Sequence, residues 1–313
     1  MIPNKEQLLA TQQRIAPYVH HTPVFRSATI DGLTGAKILF KSEQLQRMGA
    51  FKMRGATNAI LCLSEEQRAK GVVTHSSGNF GQAVALAAKS LGVKAHIVMP
   101  ENAPSVKREA VADYGGRIQL CAPTLKAREA ATQAIVEQLG ATALHPSNAM
   151  DVILGNATAS MELLADYPGT EILIAPVGGG GLIAGTALAA HHFGDDCITI
   201  GAEPEAVDDA FRSLKSGQIE TNQTTQTIAD GLKTQLGDQN FPIIEQLVDR
   251  IITVSEAEIV FAMRLLWERC KLVVEPSSAV ALAAVLKEPE LFKSKTVGLI
   301  LSGGNVDLSN LPF

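Results

Sequence analysis

"ILIAPVGGGGLIAGTALAA", Ile172–Ala190, runs without a charged residue from an aliphatic stretch into four glycines and then into an alanine-rich segment. The apolar run Ile172–Val177 is predicted to be a buried strand, and the segment from Leu182 a helix. Four consecutive glycines cost more ordering entropy than an ordinary tight turn asks for. What they provide is a row of backbone N–H groups beside a helix N-terminus, which is a cradle for an anion. The turn is neither GxGxxG with an acid downstream nor GxxxxGK[ST], so a dinucleotide fold and a P-loop are both poorly supported. A phosphate site at Gly178, Gly179, Gly180, Gly181 and Leu182 is the expectation.

Outward from this stretch, short β-branched runs alternate with alanine-rich ones. Strands are predicted at Lys37–Phe40, Val72–Thr74, Ala95–Met99, Arg117–Cys121, Ile172–Val177, Ile198–Gly201, Ile251–Val254 and Val297–Leu301. Amphipathic helices are predicted at Gln82–Leu91, Lys126–Leu139 and Glu256–Arg269, the last opened by a capping box at Ser255 and Glu258. The alternation argues for an α/β fold, doubly wound on mainly parallel sheets. No repeat, low-complexity tract or Pro/Ser linker interrupts it.

The bulk numbers narrow the function. The 313 residues are 46% apolar and 19% charged, with a net charge of −5. That balance gives no electrostatic case for a nucleic-acid partner. Cys62, Cys121, Cys197 and Cys270 form no CxxC pair, as expected of free thiols inside a cell. The opening MIPNKEQLLATQQRI lacks an apolar signal core, and the longest apolar run, Gly178–Ala190, is too short and glycine-loaded to span a bilayer. A cytoplasmic protein without a membrane partner is expected.

Three further stretches carry chemistry. In "THSSGNFGQAVALAAK", Ser76, Ser77, Gly78 and Asn79 precede a helix from about Gln82 and offer hydroxyls and backbone donors to an anion, for which a carboxylate suits as well as a phosphate. "GLILSGGNVD" sets Ser302 at the C-terminal edge of a strand, where ligands bind in open α/β sheets. "GAFKMRGA" sets Lys52 among small and apolar residues at a helix start, with the cation Arg54 two positions on. Low dielectric, a nearby cation and a helix N-terminus each lower a lysine's pKa, and a neutral amine is a nucleophile; on this stretch alone a plain solvated charge is the other reading. "GAEPEAVDD" offers Glu203, Asp208 and Asp209, which could be a solvated acidic turn or a seat for a hard cation.

Together "FKMRGA", "SSGN", "GGGGL", "GAEPE", "IADG", "EPSSA" and "LSGGN" resemble, in their order, the fold-type II (tryptophan synthase beta-like) pyridoxal-phosphate enzymes of the serine/threonine dehydratase family. "WERCKLVVEPSSAVALAA" and "GAEPEAVDDAFRSLKSG" are similar to its serine racemase and threo-3-hydroxyaspartate dehydratase branch. The resemblance implies a large cofactor domain from residues 1–68 and 147–313, and a small mobile domain from 69–146. It implies that Lys52 is the Schiff-base lysine, that Phe51 lies beside the cofactor ring, and that the tetraglycine loop takes the phosphate. Asn79 would bond the ring's phenolic oxygen, and Ser302 the pyridine nitrogen, leaving that nitrogen largely neutral. Ser76–Asn79 would hold the substrate carboxylate, with Ser77 either a second acid/base on the opposite face or a plain carboxylate donor. Arg128 and Thr234 fall where the branch meets a substrate's distal carboxylate, and Glu203, the Val207 carbonyl and Asp209 where it holds Mg²⁺ or Ca²⁺. Phe80 stands where the family usually has histidine. Gln82, Tyr114, Lys271 and Asn305 match its nucleotide-effector positions, whereas Ala28, Arg47 and Met48 do not. The implied activity is β-elimination from serine, threonine or 3-hydroxyaspartate to a keto acid and ammonia, by a homodimer. A racemase first and dehydratase second, or a silent amino-acid-binding protein, are the alternatives.

Overall fold

Ten strands order the computed structural model, which describes residues 2–76, 78–103 and 105–313. They are β1 Val24–Phe25, β2 Lys37–Ser42, β3 Val72–His75, β4 Ala95–Pro100, β5 Arg117–Cys121, β6 Thr142–Ala143, β7 Ile172–Pro176, β8 Ile198–Pro204, β9 Val248–Val254 and β10 Thr296–Leu301. Six form one sheet in the order β1-β2-β10-β7-β8-β9, and four a second in the order β5-β4-β3-β6. Every pairing is parallel except β1 with β2. All strands of the second sheet fall between residues 72 and 143.

In the large sheet the pleat sends alternate residues to two cores. Ile174, Ile200, Phe40 and Leu299 pack with helices Glu256–Leu265 and Pro276–Lys287. Leu173, Ala175 and Ile300 pack with helices Met150–Asp166 and Gly181–Phe193. Both faces are covered, which is why these strands read as unbroken apolar runs. Helix Lys52–Leu61 lies across Met150–Asp166 at glycine contact: a Cβ on Gly155 would come within 2.6 Å of the Arg54 carbonyl. The same helix shares a core with Asn79–Ser90 of the small sheet, through Met53, Ile60, Phe80 and Ala83. Lys52 therefore stands at the join between the two sheets.

The sequence reading placed the eight longer strands and missed β1 and β6, two-residue strands too short to show a period. Several boundaries move, three of them at helices. The helix expected from Gln82 begins at Asn79, with Gly78 at its N-cap. The helix expected over Glu256–Arg269 keeps its capping box but is α-helical only to Leu265, then widens into a π-turn over Leu266–Cys270 ending at the left-handed Lys271. The helix after the glycines begins at Gly181.

Candidate active site

β7 delivers the chain into the glycines, and Gly180 turns it at φ +79° before the helix begins. The loop has no room for side chains. A Cβ on Gly178 would lie 2.7 Å from Leu232 Cα, and one on Gly181 2.8 Å from Ser147 Cα. At Gly179 it would strike the Ser147 hydroxyl and lie 2.9 Å from Thr234 Oγ1. Asn240 staples the turn, its Nδ2 donating to Gly179 O at 2.8 Å and Ser147 O at 3.2 Å. The first N–H groups of the helix that includes Leu182 lack intrahelical acceptors. With the two hydroxyls they form a donor-lined concavity that could hold an anion such as a phosphate.

Lys52 is half-buried, and its Nζ donates to Pro146 O at 2.7 Å. The ammonium sits 4.9 Å from the Phe51 ring and 5.7 Å from the Phe80 ring. Burial pushes it down to about 8, against an opposing pull from Glu275. Burial, and not the charge of Arg54, leads that shift, contrary to the sequence argument. Its guanidinium is fully buried on the other side of the helix, bonded to Glu43 and Glu162.

Ser302 is buried at the end of β10; its carbonyl accepts from Phe51 N at 3.0 Å, and its hydroxyl has no hydrogen bond among the described residues. Asn79 is fixed from both ends. Its Nδ2 donates to Glu275 Oε1 at 2.8 Å, and its Oδ1 accepts from Asn305 Nδ2 at 2.9 Å. One Asn79 N–H remains free to meet a ligand. Glu275 is itself pushed up to about 8, by burial and then by Asp230. In the loop after β3, Gly78 N donates to Ser76 Oγ at 3.3 Å. Ser77 lies outside the described residues.

Arg128 stands on helix Leu125–Leu139, without an ion pair among the described residues. Its charge reaches His75, the residue before Ser76. Thr234 lies against Gly179, in the wall of the cradle.

The acidic turn is not solvated. Glu203 and Asp209 are fully buried, as is Val207. Glu203 accepts from Ala210 N at 3.0 Å and Phe211 N at 2.8 Å, capping helix Asp209–Ser216. Asp209 accepts from Asn222 Nδ2 at 2.7 Å and Leu236 N at 3.2 Å. Burial raises both, Asp209 to about 6 and Glu203 well above the carboxylate range. Asp208 is taken by Arg212 Nε at 2.8 Å. Among the described residues no group of three or more His, Cys, Asp and Glu side chains has metal-holding geometry. A site of two carboxylates and a carbonyl falls outside that count, and its oxygens are hard-cation donors.

Sequence reasoning passed over Ser147, Asn240 and the carboxyl of Glu275. Only the last stood inside a quoted motif, "EPSSA", and nothing local marked any of them as site residues.

A depressed-pKa lysine, a four-glycine anion cradle and a free hydroxyl at the carboxyl edge of parallel strands define an α/β enzyme built for a phosphorylated, lysine-linked cofactor. The chain belongs to the pyridoxal-phosphate dependent enzymes: the model of that family matches residues 15–303. It is 48% identical over 303 residues to a serine racemase of Dictyostelium discoideum, covering 96% of this chain and 94% of the relative. It is 44% identical over 312 residues to a beta-hydroxyaspartate dehydratase of Paracoccus denitrificans, covering 100% and 99%. Among solved structures, maize serine racemase superposes with a TM-score of 0.96 at 45% identity, covering 99% of this chain and 95% of that one. The fold is the fold-type II architecture, and the protein is a pyridoxal-phosphate enzyme of the dehydratase and racemase type.

Proposed function

We propose that the protein removes the β-hydroxyl and the amine of L-threo-3-hydroxyaspartate, giving a keto acid and ammonia, with L-serine and L-threonine as poorer substrates. The observation that carries the choice is Arg128, a cation whose charge acts on His75, the residue before the Ser76–Asn79 loop. A substrate with a second carboxylate suits that cation better than one with a methyl group.

Bound pyridoxal phosphate supplies an electron sink for the pair left when Cα loses its proton. The chain's own residues do the rest. The glycine loop, Ser147 and Thr234 would hold the phosphate, Asn79 the phenolic oxygen and Ser302 the ring nitrogen. The Ser76–Asn79 loop would take the α-carboxylate on its donors. Lys52 would take the α-proton, because an amine held near a pKa of 8 by burial is free base in part at neutral pH. A hydroxyl in place of a carboxylate at Ser302 leaves the sink weak, which favours quick loss of the β-group over transamination. A second reading, serine racemisation, is favoured by the Dictyostelium relative; Ser77 is then the second acid/base. Chiral analysis of serine incubations alongside keto-acid release separates the two.

Arg128→Ala is expected to erase the preference for hydroxyaspartate, about ten- to a hundredfold in kcat/KM, and leave serine turnover within severalfold. Serine has no distal carboxylate to lose. Threonine turning over best, with the substitution silent, would make the protein an ordinary threonine dehydratase.

Mg²⁺ or Ca²⁺ would sit on Glu203, Asp209 and the Val207 carbonyl, two buried carboxylates that a cation would relieve of mutual repulsion. A chelator should then lower melting temperature and activity together, with either cation restoring both, because a cation that binds only the native state stabilises it by mass action. Glu203→Ala should mimic the chelator and become insensitive to it. An unmoved melting temperature in both experiments would leave Glu203 as a helix cap. We further read the protein as a cytoplasmic homodimer whose residues 69–146 move as a unit; the branch resemblance and the four unpaired cysteines support this.

A further inference from the structure

The chemistry above gives His145 no task of its own. It follows β6 and precedes Pro146, whose carbonyl holds Lys52. Its Nδ1 accepts two backbone hydrogen bonds, from Asn148 N at 2.7 Å and Ser147 N at 3.2 Å. A ring nitrogen that accepts N–H bonds carries no proton, so the hydrogen of the neutral ring is on Nε2. That nitrogen has no hydrogen-bond partner among the described residues, although the residue is exposed. Desolvation by the packed neighbours first, although the residue keeps solvent contact, then the charges of His75 and Lys52, push the ring down against a pull from Asp238. Arg128 acts likewise on His75, second to burial. His145 thus lies within charge range of both Lys52 and His75, and His75 within charge range of Arg128.

Resting on the reading of the site as a β-hydroxy amino acid enzyme, we propose that His145 is a substrate-positioning residue. The Ser147 and Asn148 N–H groups lock its ring so that Nε2–H stands as a fixed, uncharged donor to oxygen on the substrate's Cβ side. A neutral imidazole is too weak an acid to give that proton up, so it orients the β-group and leaves proton transfer to others. The donor also stays in place across the working pH range, which an imidazolium titrating near its usual value would not.

Two substitutions separate the ring's two ends. In H145N the side-chain oxygen can accept the same backbone bonds as an Asx turn, while nothing reaches the Nε2 position. In H145Q the amide nitrogen reaches the far position and the near cap is lost. Both are compared with the cofactor-loaded wild type by melting temperature, cofactor absorbance, and kcat and KM for L-threo-3-hydroxyaspartate and L-serine between pH 6 and 9, a range set on general grounds of histidine titration. H145N should melt and hold cofactor like the wild type yet lose about tenfold in kcat/KM, evenly across pH, and H145Q should regain part of that loss. Wild-type kinetics in H145N overturn the proposal. So does an equal fall of activity, melting temperature and cofactor band in both variants, which would make His145 only a loop cap. A loss confined to one limb of the pH profile overturns it too, by making His145 a titrating acid or base. The underlying reading fails separately, if the wild type releases no keto acid from any of these amino acids.

Discussion

Lys52→Ala is expected to yield a folded protein that carries no lysine-linked cofactor and turns over no β-hydroxy amino acid. The fold survives because Lys52 opens its helix with a hydrogen bond to one carbonyl, Pro146 O, and the core of that helix is Met53, Ala56, Ala59 and Ile60. The activity should not, because in the proposed mechanism the same amine is both the tether and the base. Losing the positioned proton transfer costs about 10²–10⁴-fold by itself, and losing the tether adds to it. The measurement is the absorbance band near the visible edge, before and after borohydride, together with keto-acid release. Normal turnover with an intact band would remove Lys52 from the mechanism. The wild type adds a pH signature. Burial lowers the amine's pKa to about 8, so the free base predominates above that pH and the ammonium below it. Attachment of pyridoxal phosphate to cofactor-free protein should therefore speed up as pH rises, with its midpoint near 8. A midpoint near the ordinary lysine value would mean that the site leaves the amine solvated.

Arg54→Met is expected to be the most destabilising single change near the site, by about 3–5 kcal/mol, since it breaks a buried ion network from one side. Arg54 donates to Glu43 through Nε at 2.7 Å and Nη2 at 2.9 Å, and to Glu162 through Nη1 at 2.6 Å and Nη2 at 2.8 Å. Lys41 Nζ meets Glu162 at 2.6 Å and Thr22 O at 2.8 Å. The methionine fills much of the volume but leaves two buried carboxylates with Lys41 as their remaining buried cation among the described residues. Urea unfolding reads the loss directly. A variant within about 1 kcal/mol of wild type, the worth of an exposed ion pair, would show that water or proton uptake compensates the carboxylates. This network, and no catalytic task, accounts for a second cation two residues from Lys52.

Much of this was written in local sequence. The unbroken apolar runs at Ile172–Val177 and Val297–Leu301 require a sheet covered on both faces, and the helices between them make it parallel. Gly178–Gly181 need their glycines for a steric reason visible as composition: any Cβ there meets Ser147, Leu232 or Asn240. Lys52, Asn79 and Ser302 each sat at a strand or helix end within a legible motif. Their partners were not legible, because a hydrogen bond across the fold leaves no local period. Pro146 lies 94 residues from the lysine it holds, and Glu275 196 residues from Asn79. The direction in which Arg54 points was equally hidden, since it depends on Glu43 and Glu162 arriving from a turn after β2 and from another helix. The acidic turn shows the same division. Its carboxylates were plain in the sequence, but only the packing of helix Asp209–Ser216 against the end of β8 made them buried and turned a solvated-looking run into two acids with raised pKa. Residue type and spacing determined which groups this protein can bring to its chemistry; tertiary burial, which sets the local dielectric and the partners of each charge, decided their protonation and reach.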